Sequence, residues 1–252
     1  MNQMIIRTTM VIFLLCVNTM TVAQDTSPEE QYRACMSSAW KDPANGLKLA
    51  ETWTANGGGE AAEYCAATSL LGLGRYAQAA ERFAGLAERA PKNARRAILL
   101  SQASRAWYQA NELKQALELI DQAIELRPGD AQILVDRAEM KAASGQYNDA
   151  IADLTAAIEL NPGLADAYAF RASAYRRLGQ PEAALADLDQ ALQIVPMHAE
   201  SLLERGLIRQ ESGDIKGARS DWSTILVNAT NPDAINAAEY YLAHFPSEQE
   251  KK

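Results

Sequence analysis

Three prolines, Pro128, Pro162 and Pro196, stand 34 residues apart, and so do Gly145, Gly179 and Gly213. A fixed period of this length means that one small supersecondary unit is copied along the chain. Aligning on it gives units 97–130, 131–164, 165–198 and 199–232. An earlier copy, 60–93, joins them through the insertion Ala94-Arg95-Arg96. Each unit reads as two helices. In 131–164 the pattern predicts a helix over 131–144, a stop at Gly145, and a second helix over about 147–160. Asn161-Pro162-Gly163 then ends it, because proline cannot continue a helix and disfavours α geometry in the residue before it. Gly74, Gly145, Gly179 and Gly213 share one place in the frame, and Asn111 holds that place in the remaining unit. Glycine and asparagine best tolerate positive φ after a helix, so the same turn is expected in all five.

Small and bulky residues alternate in the second helices. Ala79, Ala116, Ala150, Ala184 and Ala218 share one position, and Phe83, Ile120, Leu154, Leu188 and Trp222 follow four residues later on the same face. Ala123, Ala157 and Ala191 lie one turn further on. Such a face lets helices interdigitate. A single pair this small cannot bury its apolar surface, so the units must stack. Alanine is abundant while Phe, Ile and Val are sparse, which suits helices and argues against a large sheet.

The alanine-x3-bulky signature, the later alanine and the closing proline resemble the tetratricopeptide repeat (TPR) family over roughly residues 60–232. The resemblance implies an all-α solenoid, a right-handed superhelix of antiparallel helix pairs. A C-terminal capping helix is expected over 233–245, opened by Asn231-Pro232, with Ile235, Ala238 and Leu242 facing inward. The chain departs from the family where Arg137-Ala138, Arg171-Ala172 and Arg205-Gly206 replace the usual leucine-glycine pair. Arg137, Arg171 and Arg205 each precede an aspartate, Asp153, Asp187 and Asp221, by sixteen residues. An antiparallel hairpin puts each pair side by side, so they read as structural ion pairs. Anion-binding arginines are the alternative. The units with Ala66 and Ala103 at the arginine position carry Arg82 and Leu119 in place of the aspartate.

The ends differ from the middle. Residues 1–23 have the form of a secretory signal peptide: Arg7, an apolar run over 10–17, and Thr21-Val22-Ala23 before the expected cut. The run is too short for an uncleaved span, which needs about 20 apolar residues. Lipid attachment at Cys16 is disfavoured by bulky Leu15. Export implies a bacterial periplasm or, alternatively, secretion. Cleavage leaves two cysteines, Cys35 and Cys65. An oxidising compartment favours a disulfide between them, stabilising by roughly 3–4 kcal/mol in the chain-entropy model, over two buried thiols. Residues 24–59 read as a degenerate helical pair, with starts at Ser27-Pro28-Glu29-Glu30 and Asp42-Pro43, and 246–252 as a solvated tail.

The chemistry excludes more than it selects. The formal charge of −8, without a basic stripe, argues against nucleic acid and an anionic membrane surface. His198 and His244 are the only histidines and lie far apart in sequence, so neither a metal site nor a catalytic triad is indicated. Gly72-x-Gly74 falls in a helix-to-helix turn, where a dinucleotide fingerprint would need a preceding strand. No enzyme activity and no cofactor are expected. The family resemblance implies a concave groove, lined by the first helix of each pair, that holds a peptide or helix of another protein. Its register points to Arg105, Tyr108, Asp136, Glu139, Phe170, Arg176 and Arg177. The terminal-carboxylate clamp of the heat-shock cochaperones needs a lysine and asparagines, where this chain has Ser101, Arg105, Gln102 and Asp136. The expected function is an interaction scaffold in the periplasm, with envelope assembly as its setting. A regulatory subunit that positions an envelope peptidase or wall hydrolase is the alternative.

Overall fold

A computed structural model describes residues 27–245, and the regular elements among them are thirteen α-helices. The expected signal peptide, with Cys16, and the expected tail lie outside the described residues. The first pair is α1 (Pro28–Lys41) and α2 (Pro43–Ala55), followed by α3 (Gly59–Gly72) and α4 (Tyr76–Arg89), then α5 (Ala94–Gln109) and α6 (Leu113–Leu126). Next come α7 (Ala131–Ala143) and α8 (Tyr147–Leu160), α9 (Ala165–Arg177) and α10 (Pro181–Ile194), and α11 (Ala199–Glu211) and α12 (Ile215–Asn228). The series closes on α13 (Pro232–His244).

One turn joins the two helices of each of the five pairs from α3 to α12. The middle of its three residues has φ of 69° at Gly74, 62° at Asn111, 77° at Gly145, 71° at Gly179 and 88° at Gly213. The next residue then donates its N–H back into the first helix. Arg75 donates to the Leu70 carbonyl, Glu112 to Trp107, Gln146 to Lys141, Gln180 to Tyr175 and Asp214 to Arg209, all at 2.8–2.9 Å. These bonds satisfy carbonyls that a helix end would leave open. Asn111 is the one described non-glycine residue at positive φ, which asparagine tolerates better than any branched side chain.

Ala79, Ala116, Ala150, Ala184 and Ala218 are fully buried where the second helix meets the first, and so are Ile120 and Leu188 four residues on. The last unit replaces leucine by Trp222, whose indole is fully buried, and the facing position is Gly206. A Cβ on Gly206 would overlap the indole ring, so one unit exchanges alanine and leucine for glycine and tryptophan at similar total volume.

Successive first helices touch, α5 with α7, α7 with α9 and α9 with α11, and among the described residues no contact of that extent joins successive second helices. The first helices therefore line the inner, concave side. At the N-terminal end α1 packs on both α2 and α3, and the Cys35–Cys65 disulfide joins α1 to α3. Ser27 and Glu30 form a reciprocal capping box at the start of α1. At the other end Ala234 and Ala238 are the buried residues of α13, with Leu242 packed on the same cluster. Ile235 is half-buried and lies outside that cluster, contrary to the expected inward face. The reason is Trp222: Tyr241 stacks on it at 5.1 Å and Phe245 tilts against it at 5.9 Å, which turns α13 toward the 234–238–241 face.

Arginines tie the stack together. Arg171 grips Asp187 through Nε and Nη2, both at 2.8 Å, and Arg137 grips Asp153 at 2.8 and 2.6 Å. Arg205 does the same to Asp221 at 3.1 and 2.9 Å. The remaining guanidinium nitrogen turns to the previous unit: Arg137 Nη1 to Asp121 at 2.8 Å, Arg171 Nη1 to Thr155 Oγ1 at 3.0 Å, Arg205 Nη1 to Asp189 at 3.9 Å. Each arginine thus links its own second helix to the one before it. Lys141 and Arg209 add a second cation to Asp153 and Asp221 at 2.8 and 2.7 Å. The hydrogen bond to aspartate raises the pKa of Arg171, against the opposing effect of burial.

A bidentate pair this buried is costly to break from one side. Asp187→Ala alone and Arg171→Ala alone should each destabilise by about 3 kcal/mol, and the double variant by clearly less than their sum. Urea unfolding of the four proteins measures this; simple additivity would show that the pair contributes no coupling.

Candidate functional site

On the concave face, α5, α7 and α9 bring together a set of charged and aromatic side chains. Tyr108 and Arg105 come from α5, Asp136 and Glu139 from α7, and Asp166 and Phe170 from α9. Asp136 is 6% exposed. Gln132, one turn earlier on α7, donates Nε2 to its Oδ1 at 3.0 Å, and Ser101 of α5 donates Oγ to its Oδ2 at 3.3 Å. The nearest cation is Arg105, whose Nε stands 4.0 Å away at the end of a side chain 62% exposed. Burial raises the Asp136 pKa from its ordinary value, and the hydrogen bonds and Arg105 oppose this only in part. Glu139 is half-buried and is likewise raised, first by burial, then by the charge of Asp136 beside it. Burial, reinforced by Glu139, raises the Tyr108 hydroxyl as well.

The other expected groove residues have different situations. Phe170 is half-buried against the α7–α8 cluster that contains Leu134 and Val135. Arg176 reaches α11, donating to Glu204 at 2.7 Å and Glu211 at 3.0 Å. Arg177 is exposed at the end of α9. The Asp partners of the three arginine clips lie on second helices, away from this face. Two features carried no sequence signal of their own. Gln102 donates to the Tyr64 hydroxyl at 2.7 Å across α3 and α5, and a hollow of ≈ 380 Å³ opens between Tyr32, Tyr64, Arg95 and Ile98. A second, mostly apolar cleft of ≈ 330 Å³ between α1 and α2 lies at the end of the stack, remote from the charged concave residues.

Among the described residues Asp166, His198 and Glu200 form the one group with the residue types and spacing of a metal site. Hydrogen bonding accounts for it without an ion. His198 Nδ1 accepts the Ser201 backbone N–H at 3.3 Å and lies 2.8 Å from its hydroxyl, capping α11. The proton therefore sits on Nε2, which donates to Asp166 Oδ1 at 2.9 Å. That bond lowers the Asp166 pKa and ties α11 to α9.

A family model described as "Tetratricopeptide repeat" matches residues 70–136 and 141–205, just over half of the chain. Comparison with curated proteins finds no match. Solved structures show the fold. TTC0263, a thermophilic TPR protein of Thermus thermophilus, is 24% identical over 73% of this chain and all of its own, with a TM-score of 0.57. YrrB, described as a TPR protein with an unusual peptide-binding site, is 22% identical over 69% of this chain and 89% of its own, at 0.54. The APC/C Cut9–Hcn1 hetero-tetramer contains a chain that is 16% identical at 0.66; the match covers 85% of this chain but 42% of that one. No helix among the described residues is long and apolar enough to cross a membrane.

The concave carboxylates give a test with a definite sign. Their folded pKa values exceed those of the unfolded chain, so the folded state binds these protons more tightly. Stability from them is complete below the unfolded pKa, roughly pH 4, and is lost as pH rises through the folded values. Glu139→Gln should therefore raise the Tm by about 1–3 °C at pH 7, and the gain should vanish near pH 4. Thermal unfolding at both pH values decides it; a lower Tm for the variant at pH 7 would contradict the reading.

Proposed function

We propose, from the premise that this chain belongs to the tetratricopeptide-repeat family, that it is a non-catalytic adaptor whose concave face holds a segment of a partner protein. The family works through protein–protein contacts, and the fold supplies the surface for one. The observation that carries the reading is that α5 and α7 present Arg105, Tyr108 and Glu139 on the inner face, where Glu139 has no hydrogen-bond or ion-pair partner among the described residues. YrrB, which shares the fold, has a peptide-binding site, and that likeness supports the same use of the groove here.

The adaptor acts in an exported setting, the bacterial periplasm, with envelope assembly as its context. The Cys35–Cys65 bond supports an oxidising compartment, and so does the signal-like sequence over residues 1–23. The bond fastens the terminal pair to the first unit of the stack, a role suited to a chain that must persist outside the cytoplasm.

A photo-crosslinking amino acid placed at residue 108, on the concave face, should trap one partner in cells. The same residue placed at Gln122, exposed on α6, should trap none. Recovery of a single peptidase or wall hydrolase in stoichiometric amount would make the chain that enzyme's regulatory subunit. Equal trapping from both positions would remove the groove from the proposal.

A further inference from the structure

The ion pairing of this protein follows a rule that fails at one place. Every buried aspartate on the second helices has a close cation: Arg137 and Lys141 for Asp153, Arg171 for Asp187, Arg205 and Arg209 for Asp221. On the concave face Glu204 has Arg176 at 2.7 Å. Asp136 and Glu139 break the pattern. Asp136 is as buried as the others but has only the exposed Arg105 at 4.0 Å, at the limit of an ion pair. Glu139 makes no side-chain hydrogen bond or ion pair among the described residues. Asp166 adds a third negative charge from the facing helix, and its partner is a histidine.

Resting on the reading of this face as a binding surface, we propose that the segment it receives carries a lysine or arginine, whose cation lies against Glu139 and Asp136 beside the Tyr108 ring. Charge complementarity selects this occupant. Two partly desolvated like charges disfavour the free protein, and an arriving cation supplies the ion pair that Glu139 lacks and adds to the distant Arg105 contact of Asp136. The Tyr108 ring lies close enough to Glu139 to feel its charge, and an aromatic ring beside the carboxylate also favours a cation. Residues that cost stability where the fold does not need them are the expected mark of a binding site. An anionic ligand fits poorly: Arg176 is engaged by Glu204 and Glu211, and Arg105 stands beside the Asp136 carboxylate. The net charge of −8 also draws a cationic segment toward the protein.

The test starts from a random dodecapeptide library panned on the whole protein. Recovered peptides are assayed by fluorescence anisotropy against the wild type, Glu139→Gln, Arg105→Ala and, as a convex-face control of equal charge change, Glu125→Gln. Circular dichroism confirms that each variant is folded. The expected peptides share a lysine or arginine, lose about tenfold in affinity to Glu139→Gln, and are unaffected by Glu125→Gln. They bind Arg105→Ala more tightly than the wild type, because a competing cation is gone. Changing the peptide's basic residue to glutamine should cost the same tenfold on the wild type and little more on Glu139→Gln. Peptides that compete for the groove but are acidic or uncharged, or that weaken with Arg105→Ala, would overturn the inference and leave groove binding intact. A library yielding no peptide that responds to a concave-face substitution would overturn both.

Discussion

The close approach of the two helices in each pair is the constraint from which the rest of this structure follows. Alanine at 79, 116, 150, 184 and 218 puts only a methyl group between the helices, and the bulky residue four positions later fills the space beyond. A contact this short fixes the rotation of both helices, and hence the length of the turn between them. All five turns use one backbone form, with positive φ at the middle residue, met by glycine four times and by Asn111 once. The Gly206–Trp222 exchange shows the same constraint met with different volumes.

Packing alone would leave each pair free to slide on its neighbour. The arginines of α7, α9 and α11 limit that freedom, since each guanidinium spends two nitrogens on its own unit and directs the third to the unit before. This arrangement suits arginine better than lysine, because the planar fork meets a carboxylate in two bonds and still has a donor to spare. The first three helix pairs lack the clip, and there the disulfide between α1 and α3 joins the end of the stack covalently. Structural charge is therefore paired near the second helices. The unmatched charge collects on the concave side, where a partner can reach it.

Much of the fold was legible because it is local and periodic. Proline, glycine and alanine recur at fixed places, and the sixteen-residue spacing of arginine and aspartate spans one hairpin. The reach of each arginine to the previous unit was not read, although Asp121, Thr155 and Asp189 lie sixteen residues upstream and are all acceptors. Contacts between units depend on how the stack twists, which no single hairpin discloses. The same limit applied to the concave face. Register placed Arg105 and Tyr108 on α5, and Asp136 and Glu139 on α7, the first helices of their pairs. Whether a carboxylate there is paired depends on neighbours from two helices, Ser101 and Gln132 for Asp136. Arg176 looked equally available in the sequence, and the stack commits it to α11. At the C-terminal end a wheel drawn on α13 alone favoured Ile235, because it could not see the Trp222 ring that Tyr241 and Phe245 cover.

The central claim is that the first helices bind while the second helices and the clips hold them in place. A crystal structure of the protein with a captured partner segment tests this most directly. The account predicts the segment lying across α5, α7 and α9 with a basic group beside Glu139. A segment bound along the second helices, or in the apolar cleft between α1 and α2, would contradict it.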